Sequence, residues 1–496
     1  MMSLSELLFK FILIIGLPIL PIGNLYCQTL QYDTLVAASP AYKKSTLHKM
    51  VMGSHYRKVW STPVPVKKFY KDSIRGGLTF IKPGGDLQTI SLKYKDSSGH
   101  HYTLRLIDKD QSKFLPSFWR RTIAGNITND LTSALFPYAP LLIHDLMGTT
   151  SRQPELIGLY AFSNDTSYTD YIHTIKGRSG FLYRSYKPIS YKVLSTEEFL
   201  EKRFNGPTPV DSLLFLEQRL FDFLVGDFDR HRDQWEWELK TINDHELTIP
   251  ISKDHDMAFS KFKGGLIPFL LTKAQPIMQQ YNGRYEIKSL AKVGKYLDHL
   301  LLAGLSEKDY IYTASRLQNR ITDSLILHSV KKLPDTIFNQ VGSELIKNLK
   351  LRRDKLTEAA AKYYKLLNKK VTIAGTDANE KVTITIIGPK ETWVEITSNH
   401  NILVKKKYTH PITKEISIYA LGAKDKIKLI GHGKNKIRIN IYGGLQEDHY
   451  EQNELSNISN IHIYDTKKGN KIVLTKKIKK HLKRKSTKYN FEREGF

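Results

Sequence analysis

Gly226-Asp227-Phe228-Asp229-Arg230-His231-Arg232-Asp233-Gln234 and Asp254-His255-Asp256-Met257-Ala258-Phe259 are the two acidic stretches on which the reading of this chain turns. Between them, Trp235, Trp237 and Leu239 alternate with Glu236, Glu238 and Lys240, the period of a half-buried strand. Asn243-Asp244 is turn chemistry, and Leu247 to Ile251 predicts the returning strand. Before them, Asp211 is placed to cap a helix whose apolar residues Leu213, Leu216, Leu220 and Phe223 recur at helical spacing, and Gly226 ends it. A helix, an acidic loop, a hairpin and a second acidic loop bring carboxylates from both stretches together. Hard oxygens on rigid turns are what a divalent cation needs when it is held against phosphate. Asp229, Gln234, Asp254 and Asp256 are the candidates. Trp235 and Trp237 read as core.

Upstream, Gly76-Gly77 and Pro83-Gly84-Gly85 flank a short strand, Leu78 to Lys82. Thr89 to Tyr94 and Tyr102 to Ile107 alternate across a turn containing Gly99, which predicts a hairpin with a glycine-bearing approach. Lys93 and Arg105 lie on its strands, and Lys109 follows. Ser117 to Ser133 reads as a helix with Phe118, Ile123, Ile127 and Leu131 as its apolar stripe. Leu156 to Tyr160 and Gly180 to Tyr186 read as strands. Ser195 with Glu198 forms a capping box. Helices dominate from Ile287 to Leu367, and the last, Glu344 to Asn368, is charged enough to read as a linker. After Lys370 the composition changes to short β-branched runs separated by Gly, Asn, Asp and Pro, the pattern of a small sandwich or a β-solenoid. Gly422, Gly431 and Gly443-Gly444 form a faint repeat.

At 496 residues the chain exceeds one ordinary core. The fold class expected is α+β followed by a small all-β domain. Residues 1–27 read as a signal peptide: Lys10 precedes the apolar run Phe11 to Leu20, too short for a comfortable membrane span. Cys27, the only cysteine, ends that segment, so the mature chain carries no disulfide framework. The expected order continues with an extension (28–70), a catalytic-type domain (71–335), a helical linker (336–370), a β-rich domain (371–465) and a basic tail (466–496). The formal net charge is +27. Spread lysines account for much of it. No nucleic-acid motif accompanies the charge, so no nucleic-acid partner is expected. The basic tail is either a solvated end or a contact for an outer-membrane protein, anionic lipid or glycan. The expected location is exported, in the periplasm or at the outer membrane.

Asp229-Arg230-His231 and Asp254-His255-Asp256-Met257-Ala258-Phe259 resemble the paired motifs of atypical kinase-like folds, the HipA-type toxin kinases and the secretory-pathway protein kinases. The chain also resembles a poorly characterised group of bacterial envelope proteins over roughly residues 35–445. That likeness rests on His55-Tyr56-Arg57, Gly76-Gly77-Leu78-Thr79, Gln88-Thr89, Ile107-Asp108-Lys109-Asp110 and the two acidic stretches. Some of that group carry a phosphoesterase domain before this region and an outer-membrane barrel after it. The resemblance implies a two-lobed protein-kinase-like domain that binds ATP or another nucleotide with Mg²⁺ or Mn²⁺. By it, Asp229 is the catalytic Asp, Gln234 and Asp254 hold metal with Asp256 assisting, and Arg105, Lys93 and Lys109 face phosphate under the Gly84-Gly85 turn. The chain departs from the kinase plan in three places. Arg105 stands where a Lys is usual, Gln234 where an Asn is usual, and the helix after Arg105 offers Asn126 and Asp130 but no Glu.

Two other classes remain open on sequence. One is a non-catalytic envelope binding module whose acidic pair is structural, with Asp229-Arg230-His231 as a surface ion pair. The other is a metal-dependent phosphoesterase in which His231 and His255 join Asp229 and Asp256 around a transition metal. The kinase-like plan instead turns His231 inward as a structural residue.

Overall fold

The computed structural model describes residues 33–84, 89–148, 154–162, 175–185, 192–243, 245–274, 278, 280–399, 401–453, 458–483 and 491–493. The expected signal peptide, Cys27 and Gly85 lie outside the described residues.

The alternating runs of the first half build a seven-stranded sheet from β1 (Thr34–Val36), β2 (Val64–Phe69), β3 (Thr79–Gly84), β4 (Ser91–Lys95), β5 (His101–Leu106), β6 (Glu155–Phe162) and β7 (Ser179–Arg184). Its order is β1-β2-β6-β7-β5-β4-β3. Leu92, Tyr94, Tyr102, Leu104 and Leu182 bury one face in a small core. The other face carries Ser91, Lys93, Thr103, Arg105 and Tyr183, and part of it looks into a cleft. The expected extension (28–70) is not an appendage. It supplies β1 and β2, and Tyr56, Val59 and Trp60 join the large core, where burying side chains of this size is worth about 1.5–3 kcal/mol each.

The expected helix Ser117 to Ser133 is broken into Ser117–Arg120, Ile123–Asp130 and a 3-10 turn Leu131–Ala134. Gly125 explains the break, because a Cβ there would come within 2.1 Å of the Arg120 carbonyl oxygen. The predicted stripe fails with it: Phe118 and Ile123 are exposed.

Below the sheet, β8 (Lys192–Ser195), β9 (Trp235–Ile242) and β10 (His245–Ser252) form a second sheet of order β10-β9-β8. The Ser195–Glu198 capping box is formed as expected. So is the Asp211 cap, which accepts the Leu214 N–H at 2.9 Å. The helix it starts, Ser212–Val225, is buried from Phe215 onward and ends at Gly226 in the left-handed region, φ 74°. Trp237 stacks on Phe199 at 3.8 Å, a core role as expected. Helices then run from Ile287 to Asn368. Ser343–Asp354 and Leu356–Asn368 are not a linker. Leu345, Leu349, Leu356, Ala360, Tyr363 and Leu367 are buried in the same large core, and only the outward face is charged.

The β-rich part is a solenoid, not a sandwich. Strands β11 (Lys370–Thr376), β12 (Glu380–Gly388), β13 (Glu391–Ser398), β14 (Asn401–Thr409), β15 (Glu415–Leu421), β16 (Lys426–Gly431), β17 (Gly433–Tyr442), β18 (His449–Gln452), β19 (Ile458–Thr466), β20 (Lys471–Val473) and β21 (Lys479–Lys483) alternate between two sheets apart from the β13–β14 hairpin. The coil-to-coil pairings are parallel, with Glu415 beside Arg438 and Ile439 beside Ile461. Inward isoleucines stack from coil to coil, and Gly444 meets the Leu421 carbonyl at a corner where a Cβ would sit 1.9 Å away. The solenoid runs to Lys483, so residues 466–483 are its last coil and not a free tail. Arg203 ties it to the helical core by donating to the Ala374 and Gly375 carbonyls at 3.1 Å.

Candidate functional site

Arg230 fixes the first acidic loop. Its guanidinium is fully buried. Nε and Nη2 donate to the Asp222 carboxylate at 3.0 and 2.7 Å, and Nη2 also reaches Asp227 at 3.2 Å and His255 Nδ1 at 2.7 Å. Nη1 donates to the carbonyls of Gln234, at 3.3 Å, and Lys253. One side chain thereby ties the helix before the first loop to both ends of the hairpin, and Lys253 N–H closes the join by donating to the Gln234 carbonyl at 2.8 Å. Arg219 extends the network, donating to Asp222 at 2.8 Å and to Asp298 at 2.8 and 3.2 Å. The Asp-Arg-His triplet is therefore not a surface ion pair.

This frame sends Asp254 and Asp256 forward. Asp254 sits at φ 51°, a left-handed turn that an Asp tolerates better than most residues. Arg105 Nη2 donates to Asp254 Oδ2 at 3.1 Å and to Asp256 Oδ2 at 3.3 Å. Lys109 pairs with Asp256. Burial opposes the charge on Asp254, but Arg105 and Lys109 outweigh it and hold the carboxyl well below the usual carboxylate range. Lys109 is pushed down to about 8 by burial, against the pull of Asp254 and Asp229. Asp229 is half-buried and goes the other way, raised to about 6 by burial, with Asp227 and Asp254 adding to the rise and His231 opposing it. Asp229, Asp254 and Lys109 thus share one electrostatic neighbourhood.

A cleft of about 460 Å³ opens beside them. Its walls include Thr103, Arg105 and Tyr183 from the sheet, Ile143 and His144 from the helix Ala139–Met147, and His231, Gln234, Asp254 and Asp256 from the two loops. Two oxygens here are buried without a hydrogen-bond partner, Gln234 Oε1 and Asp254 Oδ1. An unpaired buried acceptor is costly, and two on one cleft wall suit a hard cation.

Of the residues expected from sequence, Arg105, Lys109, Gln234, Asp254 and Asp256 come together, with Asp229 close behind them. Gly84 and Lys93 do not line this cleft. Gly84 pairs with Ser91, which pairs with Arg105, so Gly84 is level with Arg105 but two strands away. Lys93 lies beside Gly84, whose missing Cβ would meet the Lys93 side chain at 2.8 Å, and it faces solvent. Asp130 is engaged by Arg57 and His48, not by Arg105.

The two-histidine metal centre is not formed. His255 turns inward onto Arg230, while His231 lines the cleft, half-exposed, the reverse of the inward placement expected. Asp222, Asp227 and His255 converge closely enough to ligate an ion, but the Arg230 guanidinium already binds all three. Sequence reasoning missed this buried network. The available signal was Arg219 and Asp222, three apart and set among the apolar residues Leu216, Leu220, Phe221 and Phe223 of one helix.

No family model matches the chain, and no curated protein matches it. Among solved structures, a Helicobacter pylori proinflammatory kinase, CtkA, aligns at 12% identity over 55% of this chain and 93% of its own, with TM-score 0.27. The golgi casein kinase aligns at 11% identity over 67% and 85%, with TM-score 0.27. Likeness at that level assigns no activity to this chain.

Proposed function

We propose that this cleft binds a nucleotide with Mg²⁺ or Mn²⁺ and transfers its terminal phosphoryl group to a hydroxyl, on a two-lobed kinase-like unit. The observation that carries the proposal is the pair of unpartnered oxygens, Gln234 Oε1 and Asp254 Oδ1, on the cleft that Arg105 lines, with Lys109 paired to Asp256 beside it. Asp254 and Gln234, with Asp256, are the residues that would hold the metal, and a bound divalent ion supplies charge neutralisation to phosphate oxygens. Arg105 can meet phosphate with two N–H groups, and Lys109 adds a point charge. Asp229, raised to about 6, is ionised at neutral pH yet still basic enough to take the hydroxyl proton. The acceptor oxygen bonds to phosphorus as the bond to the leaving diphosphate oxygen breaks, and the proton passes to Asp229.

The pairing of Arg105 and Lys109 with Asp254 and Asp256 also favours one second reading, a non-catalytic binding module, because the cleft carboxylates are already neutralised by the chain itself. Export to the periplasm or outer membrane is part of the same proposal. Thermal unfolding of the chain with Mn²⁺ and ATP tests the site. Stabilisation that is lost in Asp254→Ala supports it, and a shift unchanged in that variant overturns it. Transfer of labelled γ-phosphate separates the catalytic reading from the binding one.

A further inference from the structure

Two abutting helices present large apolar side chains to solvent on the side reached by the chain after the Asp254 turn. Thr46–Met52 exposes Leu47 (73%), Met50 (68%) and Val51, and Leu266–Ala274 exposes Leu266 (58%), Phe269 (58%) and Leu270. The two are stapled together. Ser54 N–H donates to the Lys263 carbonyl at 3.0 Å, and Gly265 lies so close that a Cβ would meet Gly53 N at 2.4 Å. The apolar side chains therefore form one patch. Its charge surroundings are one-sided. Residues 34–71 and 257–285 contain no Asp or Glu, and Lys43, Lys44, Lys49, Lys263 and Lys273 are exposed there. The acids that do approach from elsewhere are engaged: Asp130 holds Arg57 and His48, Asp108 accepts from the Tyr42 hydroxyl, Asp110 accepts the Ser112 N–H, and Glu344 pairs with Lys261. Monomeric surfaces rarely leave such a cluster bare, and a protein partner for it would need a matching ring of acids around an apolar centre. A bilayer of anionic lipid supplies both, apolar depth for Leu, Met and Phe and a sheet of negative charge for the lysines.

We infer that the surface formed by Thr46–Met52 and Leu266–Ala274 docks on an anionic lipid bilayer, with Leu47, Met50, Leu266, Phe269 and Leu270 inserted to the acyl boundary and Lys43, Lys49, Lys263 and Lys273 against the headgroups. The surface is separate from the basic C-terminal coil and stands whether or not the cleft transfers phosphate.

The test is flotation of the full chain with phosphatidylcholine vesicles containing phosphatidylglycerol, against phosphatidylcholine alone. Binding to the anionic vesicles, reduced by salt, is expected. Leu266→Ser with Phe269→Ser should weaken it about tenfold or more, and Lys49→Glu with Lys273→Glu should do likewise. Because these side chains are exposed, the variants should unfold at the wild-type temperature. Leu47→Ser with Met50→Ser gives an independent second pair. Three results overturn the proposal: no flotation with anionic vesicles; flotation unchanged in both apolar pairs, which assigns it to the Phe11–Leu20 run or the C-terminal coil; or a dimer that the apolar substitutions split, which assigns the patch to a second copy.

Discussion

Replacing Arg230 by Met tests the frame that aims both acidic loops. The guanidinium contributes three charge-assisted bonds to Asp222 and Asp227 and two to main-chain carbonyls of the hairpin, all with little or no solvent. Asp222 keeps Arg219 at 2.8 Å, but Asp227 keeps only the Asp229 N–H, at 3.1 Å, and the His255 ring, at 3.3 Å. Removing one partner of a buried ion network costs about 3–5 kcal/mol, because the remaining charge is stranded. The loss should depend on pH. In the wild type burial opposes the Asp222 charge, yet Arg230 and Arg219 hold its pKa down, so its contribution is present above the ordinary carboxylate range and fades as pH falls through it. Without Arg230, burial weighs more heavily on Asp222 and its carboxyl takes up a proton more readily. Variant stability then falls as pH rises, and the gap from wild type is wider at about pH 8 than at about pH 5. Urea unfolding followed by tryptophan fluorescence reads this directly, since Trp235 lies under Arg230 at 5.5 Å. Arg230→Lys should fall between, keeping charge without the fork. A loss below about 1 kcal/mol, or the same loss at both pH values, would refute the assignment of Arg230 as the tie.

If phosphoryl transfer occurs, its kcat/KM should rise with pH through a midpoint near 6, set by Asp229, and Asp229→Asn should abolish that limb; a limb that persists in the variant removes Asp229 as the base. In the solenoid, burial raises Asp425 to about 9 and Glu380 and Asp448 to about 7, with neighbouring carboxylates adding to each rise. Folded pKa values above the unfolded carboxyl range make the solenoid most stable in acid, with stability lost progressively as pH rises from about 4 and the loss complete once pH has passed the folded values of about 7 to 9. Asp425→Asn keeps an oxygen to accept the Glu380 N–H, now at 2.8 Å, and should flatten that decline in thermal midpoint; a parallel profile would contradict the assignment of the decline to these carboxyls.

What the sequence made legible was local. The Asp211 and Ser195 caps, the Gly226 stop, the Asn243 turn and the alternating Trp235–Trp237 strand each rest on a few adjacent residues, and each stands in the structure. That local order was enough to place Gln234 and Asp254 at opposite ends of one hairpin, where antiparallel pairing returns them to the same end. What stayed hidden depended on distant partners. Arg230 looks like any loop arginine until Asp222 and Lys253 surround it. The helices from Glu344 to Asn368 look like a charged spacer because their core stripe is partly Ala and Tyr, while their outward lysines dominate the composition. Gly125 gives no sign in a helical pattern that the chain must fold back on Arg120.

The glycine turn and the cation on the next strands illustrate the same limit inside the site. Sequence spacing puts Gly84, Lys93 and Arg105 on consecutive strands, and a strand alternates its faces, so all three were candidates for one pocket. The register does put Ser91, Lys93, Thr103 and Arg105 on a common face. Distance across the sheet then separates them, since neighbouring strands lie about 4.8 Å apart and the two from Arg105 to Gly84 span about 10 Å. Arg105 occupies a more central strand than Gly84, with β7 on its other side and the Asp254 turn beneath it, whereas β3 is the sheet's edge. A ligand in this cleft therefore meets Arg105 directly and would reach Gly84 only by extending across the sheet by that distance, which a polyphosphate can do and a lone phosphate cannot. Under the function proposed above, a nucleotide rather than a simple phosphoester is the molecule that would use both ends of the face.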